Sequence, residues 1–129
     1  MISKNMLAAS TRPIVLIILK QGENYGYQII QQVRELSRGV LEWSEPMLYP
    51  VLKRMEKDGL IKAKWRQVHN NGFRRYYRLT ELGRAALERE KAQWMTVHAI
   101  FSRLVEAAAD SRYGDLRYQA LVRQRSEAG

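Results

Sequence analysis

The sequence predicts a mainly α-helical chain with one small β-ribbon. Apolar residues recur at helical spacing in four separate stretches, and two β-favouring stretches flank the connection Val68-His69-Asn70-Asn71-Gly72. Glycine and proline punctuate the chain between these stretches. At 129 residues and 46% hydrophobic content, the chain is one domain's worth with material for a modest core.

The first helix runs from about Lys4 or Met6 to Lys20, with Gly22 just past its end. Pro13 lies inside it and is expected to bend it or mark its true start. A second helix fits Tyr25 to about Leu36, with Tyr25, Ile29, Ile30, Val33 and Leu36 on one face and Gln28, Gln31, Gln32 and Glu35 on the other. The third helix starts at Ser44, an N-cap residue, and tolerates Pro46 in its first turn, where a missing N–H costs nothing. Leu48, Val51, Leu52 and Met55 form its apolar stripe, and Asp58-Gly59 stops it. Pro50 sits deeper than a helix favours, so a bend or a tight turn is expected near Met47 to Pro50.

Leu60 to Gln67 alternates, with Ile61, Ala63 and Trp65 on one face, and Phe73 to Leu79 is rich in aromatic residues. Asn71-Gly72 is a hairpin-turn signal. Thr80 caps a long helix, with Glu81 in its first turn, reaching about Ala108. Leu87, Trp94, Val97, Phe101, Leu104 and Ala108 follow as a coiled-coil-like seam in which Glu90 occupies an apolar position. Beyond Asp110, Ser111 and Gly114 are breakers, and Asp115 to Arg125 forms a short helix or frays. This order is that of a winged helix-turn-helix followed by a long C-terminal dimerisation helix. The organisation expected is a DNA-binding domain over 1–79, a dimerisation helix over 80–108, and a tail of open role over 109–129.

Composition limits the chemistry. Without cysteine there is no disulfide framework, thiolate zinc site or cysteine nucleophile. His69 and His98 fall in different elements, outside metal-ligand spacing, and no serine has a nucleophile-elbow setting. The expectation is neither enzyme nor metalloprotein, with no cofactor. The apolar run Ile14 to Leu19 is too short to span a membrane, and its flanks, Arg12-Pro13 and Lys20-Gln21-Gly22-Glu23, do not suit a signal peptide. A cytoplasmic chain is expected.

Lys plus Arg is 22 against 13 Asp plus Glu, a net charge of +9 that favours a polyanion partner. Burying the third helix's apolar stripe turns Tyr49, Lys53 and Lys57 outward together, flanked by Arg54, with Ser44 at the helix start. Lys53 can donate to guanine acceptors or to phosphate, and Tyr49 offers a hydroxyl to phosphate and a ring to a thymine methyl. The ribbon carries Lys62, Lys64, Arg66, His69, Arg74, Arg75 and Arg78, and no acid lies between Ile61 and Leu79. Such a one-sign run repels itself, and a polyanion relieves that repulsion. Arg66, Arg74 and Arg75 are the phosphate candidates, and His69, Asn70 and Asn71 the candidates for a minor groove. The bland alternative for the third helix is a solvated face with ordinary lysines.

The stretch Pro46-Met47-Leu48-Tyr49-Pro50-Val51-Leu52-Lys53-Arg54-Met55-Glu56-Lys57-Asp58-Gly59-Leu60-Ile61 resembles the PadR-like transcriptional regulators. So do Gly22-Glu23-Asn24-Tyr25-Gly26-Tyr27-Gln28-Ile29 and Gly72-Phe73-Arg74-Arg75-Tyr76-Tyr77-Arg78-Leu79-Thr80 with Gly83. The resemblance covers about Met6 to Leu104, in order and at the right spacing. It implies a homodimeric winged helix, usually a repressor, in which the long last helix supplies much of the dimer contact and a pseudo-palindromic double-stranded DNA operator is the partner. Multidrug-binding members are similar in carrying a tryptophan midway along that helix, lining a pore that holds aromatic ligands. That makes Trp94, with Val97, His98 and Phe101 nearby, a candidate contact for a small-molecule effector. The other reading makes Trp94 an interface anchor alongside Val97, Phe101 and Leu104. The competing function is a winged-helix module that binds protein, with incidental DNA affinity.

Overall fold

The computed structural model describes residues 2–109 and, beyond them, Arg123. The segment Asp115 to Arg125, apart from Arg123, therefore lies outside the described residues. The elements are α1 (Lys4–Lys20), β1 (Asn24–Tyr25), α2 (Gly26–Leu36), α3 (Glu45–Lys57), β2 (Ile61–Gln67), β3 (Phe73–Leu79) and α4 (Glu81–Ala109).

Local chemistry sets the helix ends. Ser3 caps α1 by accepting the Met6 N–H at 3.2 Å, so α1 starts well before Pro13, which lies inside it. Ser44 caps α3 by accepting the Met47 N–H at 3.4 Å. Pro50 also lies inside a helix that runs on to Lys57. The Thr80 hydroxyl accepts the Gly83 N–H at 3.0 Å and donates to the Gly59 carbonyl at 2.6 Å, tying the start of α4 to the end of α3.

Gly83 is required there by contact. A Cβ at this position would stand 2.0 Å from the Leu60 carbonyl oxygen, so α4 begins with its backbone against the chain entering β2.

The core gathers one face from each element: Val15, Leu16 and Leu19 from α1, Ile29 and Val33 from α2, and Leu48, Leu52 and Met55 from α3. Ile61, Tyr77 and Leu79 of the strands and Ala86 and Leu87 of α4 complete it. Full burial of each large apolar side chain contributes about 1.5–3 kcal/mol.

Three local expectations are corrected. Tyr25 belongs to β1 rather than α2, and pairs with Tyr76. The sheet is therefore three-stranded and antiparallel, in the order β1-β3-β2. Leu36 is 76% exposed, because it ends α2 one turn beyond Val33, past the packed face. The connection at 68–72 is not a two-residue Asn-Gly turn. Asn70 takes the left-handed conformation (φ 65°), Gly72 is extended, and the Val68 N–H donates to the Gly72 carbonyl at 2.8 Å. Asparagine tolerates that conformation better than most residues.

Glu90, the polar residue in the seam, forms an ion pair with Arg12 of α1 at 3.1 Å. The contacts divide the chain after Lys91 into two units, Met1–Lys91 and Ala92–Gly129. The first holds the helix-turn-helix, the sheet and the opening turns of α4. The described part of the second is the helix as far as Ala109, together with Arg123. No helix among the described residues is long and apolar enough to cross a membrane.

Candidate nucleic-acid interface

In α3, Leu48, Leu52 and Met55 turn into the core. Helical spacing then leaves Tyr49, Lys53, Arg54 and Lys57 exposed, Tyr49 at 42%. The Ser44 hydroxyl stands at the exposed helix start, engaged by the Met47 N–H. Arg54 pairs with Asp58 at 3.3 Å.

Tyr49 is held from behind by α2. A Cβ at Gly26 would lie 3.0 Å from its hydroxyl and from its ring, so a glycine at the start of α2 is what lets the two helices of the helix-turn-helix approach at this point. Partial burial raises the Tyr49 pKa, and the Glu45 charge raises it further.

Residues opposite one another in an antiparallel pair share a face. The register of β2 and β3 thus puts Lys62 with Arg78, Lys64 with Tyr76, and Arg66 with Arg74 on one face. Ala63 with Tyr77, Trp65 with Arg75, and Gln67 with Phe73 occupy the other. The run without acids from Ile61 to Leu79 is nonetheless partly neutralised by carboxylates from elsewhere. Arg66 pairs with Glu23 and stacks 4.8 Å from the centre of the Tyr76 ring. Arg74 lies 4.4 Å from the centre of the Tyr25 ring.

Arg75 donates to both carboxylate oxygens of Glu56, at 2.7 and 3.0 Å. Its guanidinium sits 5.5 Å from the Trp65 ring centre and 5.9 Å from that of Tyr77. The Glu56 hydrogen bond pushes the Arg75 pKa up. Burial raises the Tyr77 phenol, and the Arg75 charge opposes part of that rise. Among the described residues no carboxylate pairs with Lys53, Lys57, Lys62, Lys64, Arg74 or Arg78.

A groove of about 660 Å³ separates α3 from β3, lined by Tyr49, Lys53, Glu56, Lys57, Arg75 and Tyr77. An adjoining hollow of about 320 Å³ adds Trp65, Phe73 and Arg74. Trp65 and Phe73 are 60% and 63% exposed, a feature the sequence reading missed. Trp65 does share a face with Ile61 and Ala63, but the strand outruns the core beneath it. Glu56 was also missed. Its visible signal was an acid between Lys53 and Lys57 on an otherwise basic helix face. At the wing tip, His69 and Asn70 are exposed, and Asn71 ends the same short turn.

The four seam residues of the second unit are bare, as Met95, Ile100 and Val105 are: Trp94 is 39% exposed, Val97 61%, Phe101 66% and Leu104 50%. Their spacing of three, four and three puts them on one helix face, and His98 beside them is exposed. Gln93, Trp94 and Val97 line a shallow hollow of about 170 Å³. Among the described residues no cluster of three or more His, Cys, Asp or Glu side chains is placed to hold a metal ion.

A family model described as the transcriptional regulator PadR-like family matches residues 15–89. A protein of Lysinibacillus sphaericus is 30% identical over 106 residues, 82% of this chain and 97% of that one. A transcriptional regulator of Mycobacterium tuberculosis is 39% identical over 83 residues, 64% of this chain and 74% of that one. Among solved structures, a transcriptional regulator from Clostridium thermocellum is similar with a TM-score of 0.74 at 27% identity, covering 81% of this chain and 99% of that one. A PadR-like transcriptional regulator from Bacillus cereus is similar with a TM-score of 0.69 at 29% identity, covering 79% and 97%.

Proposed function

The chain belongs to the PadR-like family of transcriptional regulators, which are not enzymes, and from that premise we propose that it is a homodimeric, sequence-specific DNA-binding repressor. The observation that carries this reading is the exposed face of α3: two lysines with no acid partner among the described residues, beside a tyrosine whose ring leaves no room for a Cβ at position 26. Tyr49 and Lys53 meet base edges or phosphate, and Lys57 and Arg54 follow the backbone. Arg74 and Arg66 serve phosphates from the wing, and His69 to Asn71 enter the adjacent minor groove. The DNA-binding part is residues 1–79 and the dimerising part residues 80–108, with 109–129 left without a role.

Two copies paired along the bare stripe of α4 offer two α3 helices to half-sites about one helical turn, ~34 Å, apart. Such a target is a pseudo-palindromic duplex, and the protein works in the cytoplasm where that duplex is. The hollow beside Trp94 favours one addition: an aromatic or hydrophobic small molecule stacks there and relieves repression by favouring a different dimer geometry.

The test is a gel-shift titration at several salt concentrations, with DNA from upstream of the protein's own gene against a scrambled duplex. A preference for the upstream DNA is expected, together with an affinity that falls steeply as salt rises. Equal, weak binding to both duplexes would favour the protein-interaction reading instead.

A further inference from the structure

The Glu56–Arg75 pair is unusual in its setting. Glu56 stands among the cations of α3, where a bare carboxylate would repel a polyanion. Arg75 brings the wing's charge to it through a single guanidinium nitrogen, Nη2, which donates to both carboxylate oxygens at 2.7 and 3.0 Å. The two side chains are 34% and 35% exposed, so solvent screens them only in part.

The wing has reason to need a tether. β1 pairs with β3 only at Tyr76 and Tyr77, so from Phe73 to Arg75 the ribbon is two strands wide. A two-stranded ribbon is marginal by itself. Among the described residues this is the one ion pair that joins α3 to the wing. Trp65 and Tyr77 flank the guanidinium and limit its alternatives.

We propose that Arg75 is a positioning residue: bound to Glu56 and flanked by Trp65 and Tyr77, it fixes the direction of the wing against α3 and touches no phosphate itself. This revises the sequence expectation for Arg75, and it rests on the DNA-binding reading above. It also gives Glu56 a role that its charge alone would not predict.

The test uses the full chain and the same two duplexes, titrated across a range of salt, with Glu56→Gln and Arg75→Lys. Electrostatics alone says that removing the Glu56 charge tightens binding to both duplexes. Positioning says the opposite: Glu56→Gln weakens binding to upstream DNA by roughly fivefold and narrows its margin over scrambled DNA, while the salt slope stays that of wild type. Arg75→Lys keeps the charge but loses the planar guanidinium beside the Trp65 and Tyr77 rings, and behaves in the same way. A general loss of folded protein lowers both duplexes equally, so the narrowed margin separates positioning from instability.

Tighter binding by Glu56→Gln overturns the proposal, as does Arg75→Lys indistinguishable from wild type. Wild-type protein that binds neither duplex at low salt overturns the regulator reading, and this one with it.

Discussion

Gly83 shows how far one atom matters here. A methyl group added to it meets a backbone carbonyl at 2.0 Å, and backbone cannot rotate aside. Gly83→Ala should therefore destabilise the fold by about 3 kcal/mol, the upper end of overpacking costs, read as a lower denaturant midpoint at unchanged slope. Lys53 has no such structural duty, since it is exposed and no acid among the described residues pairs with it. Lys53→Ala should leave the denaturation curve in place and weaken operator binding by about 1–3 kcal/mol with a relaxed base preference, measured on a panel of single-base operator variants. The outward residues of α3 were legible in the sequence because helical periodicity fixes them once the apolar stripe is known. The partners of Arg66 and Arg75 were not. Glu23 lies in the connection before β1 and Glu56 in α3, and no local pattern tells which carboxylate a folded chain will bring beside which arginine.

At the scale of elements, the helices were readable from their caps and stripes. Ser44 and Thr80 act as the sequence implied, because a side-chain oxygen at a helix start satisfies an N–H that has no partner within the helix. Ser44→Ala should cost about 1 kcal/mol of stability, visible as a small drop in urea midpoint. It should also weaken DNA binding slightly, since the first turns of α3 carry Tyr49. The strand β1 escaped the sequence reading for a physical reason. Two residues are too few to show any periodicity, and Asn24 and Tyr25 become a strand only because β3 offers them an edge. The wing turn went astray in a similar way: Asn-Gly favours a tight turn, but Asn70 adopts the left-handed conformation and Gly72 does not.

For the molecule as a whole, two quantities govern behaviour in solution: the net charge of +9 and the bare apolar stripe beyond Lys91. The first predicts affinity for nucleic acid that fades with salt. The second predicts self-association, because an exposed row of large apolar side chains on a helix calls for a cover. Phe101→Asp should place a charge in that row and shift the protein to a monomer in sedimentation velocity, with its denaturation profile at low concentration little altered. An intact dimer would place the contact elsewhere. Glu90 gains meaning from this stripe: paired with Arg12, it ends the apolar row on the near side of Trp94. The side chains of α4 that complete the winged-helix core, Ala86 and Leu87, and those that stand bare, from Trp94 onward, are thus different residues on one rod. Substitutions after Lys91 can therefore accumulate without touching the winged-helix core, and the two sets are free to diverge at separate rates.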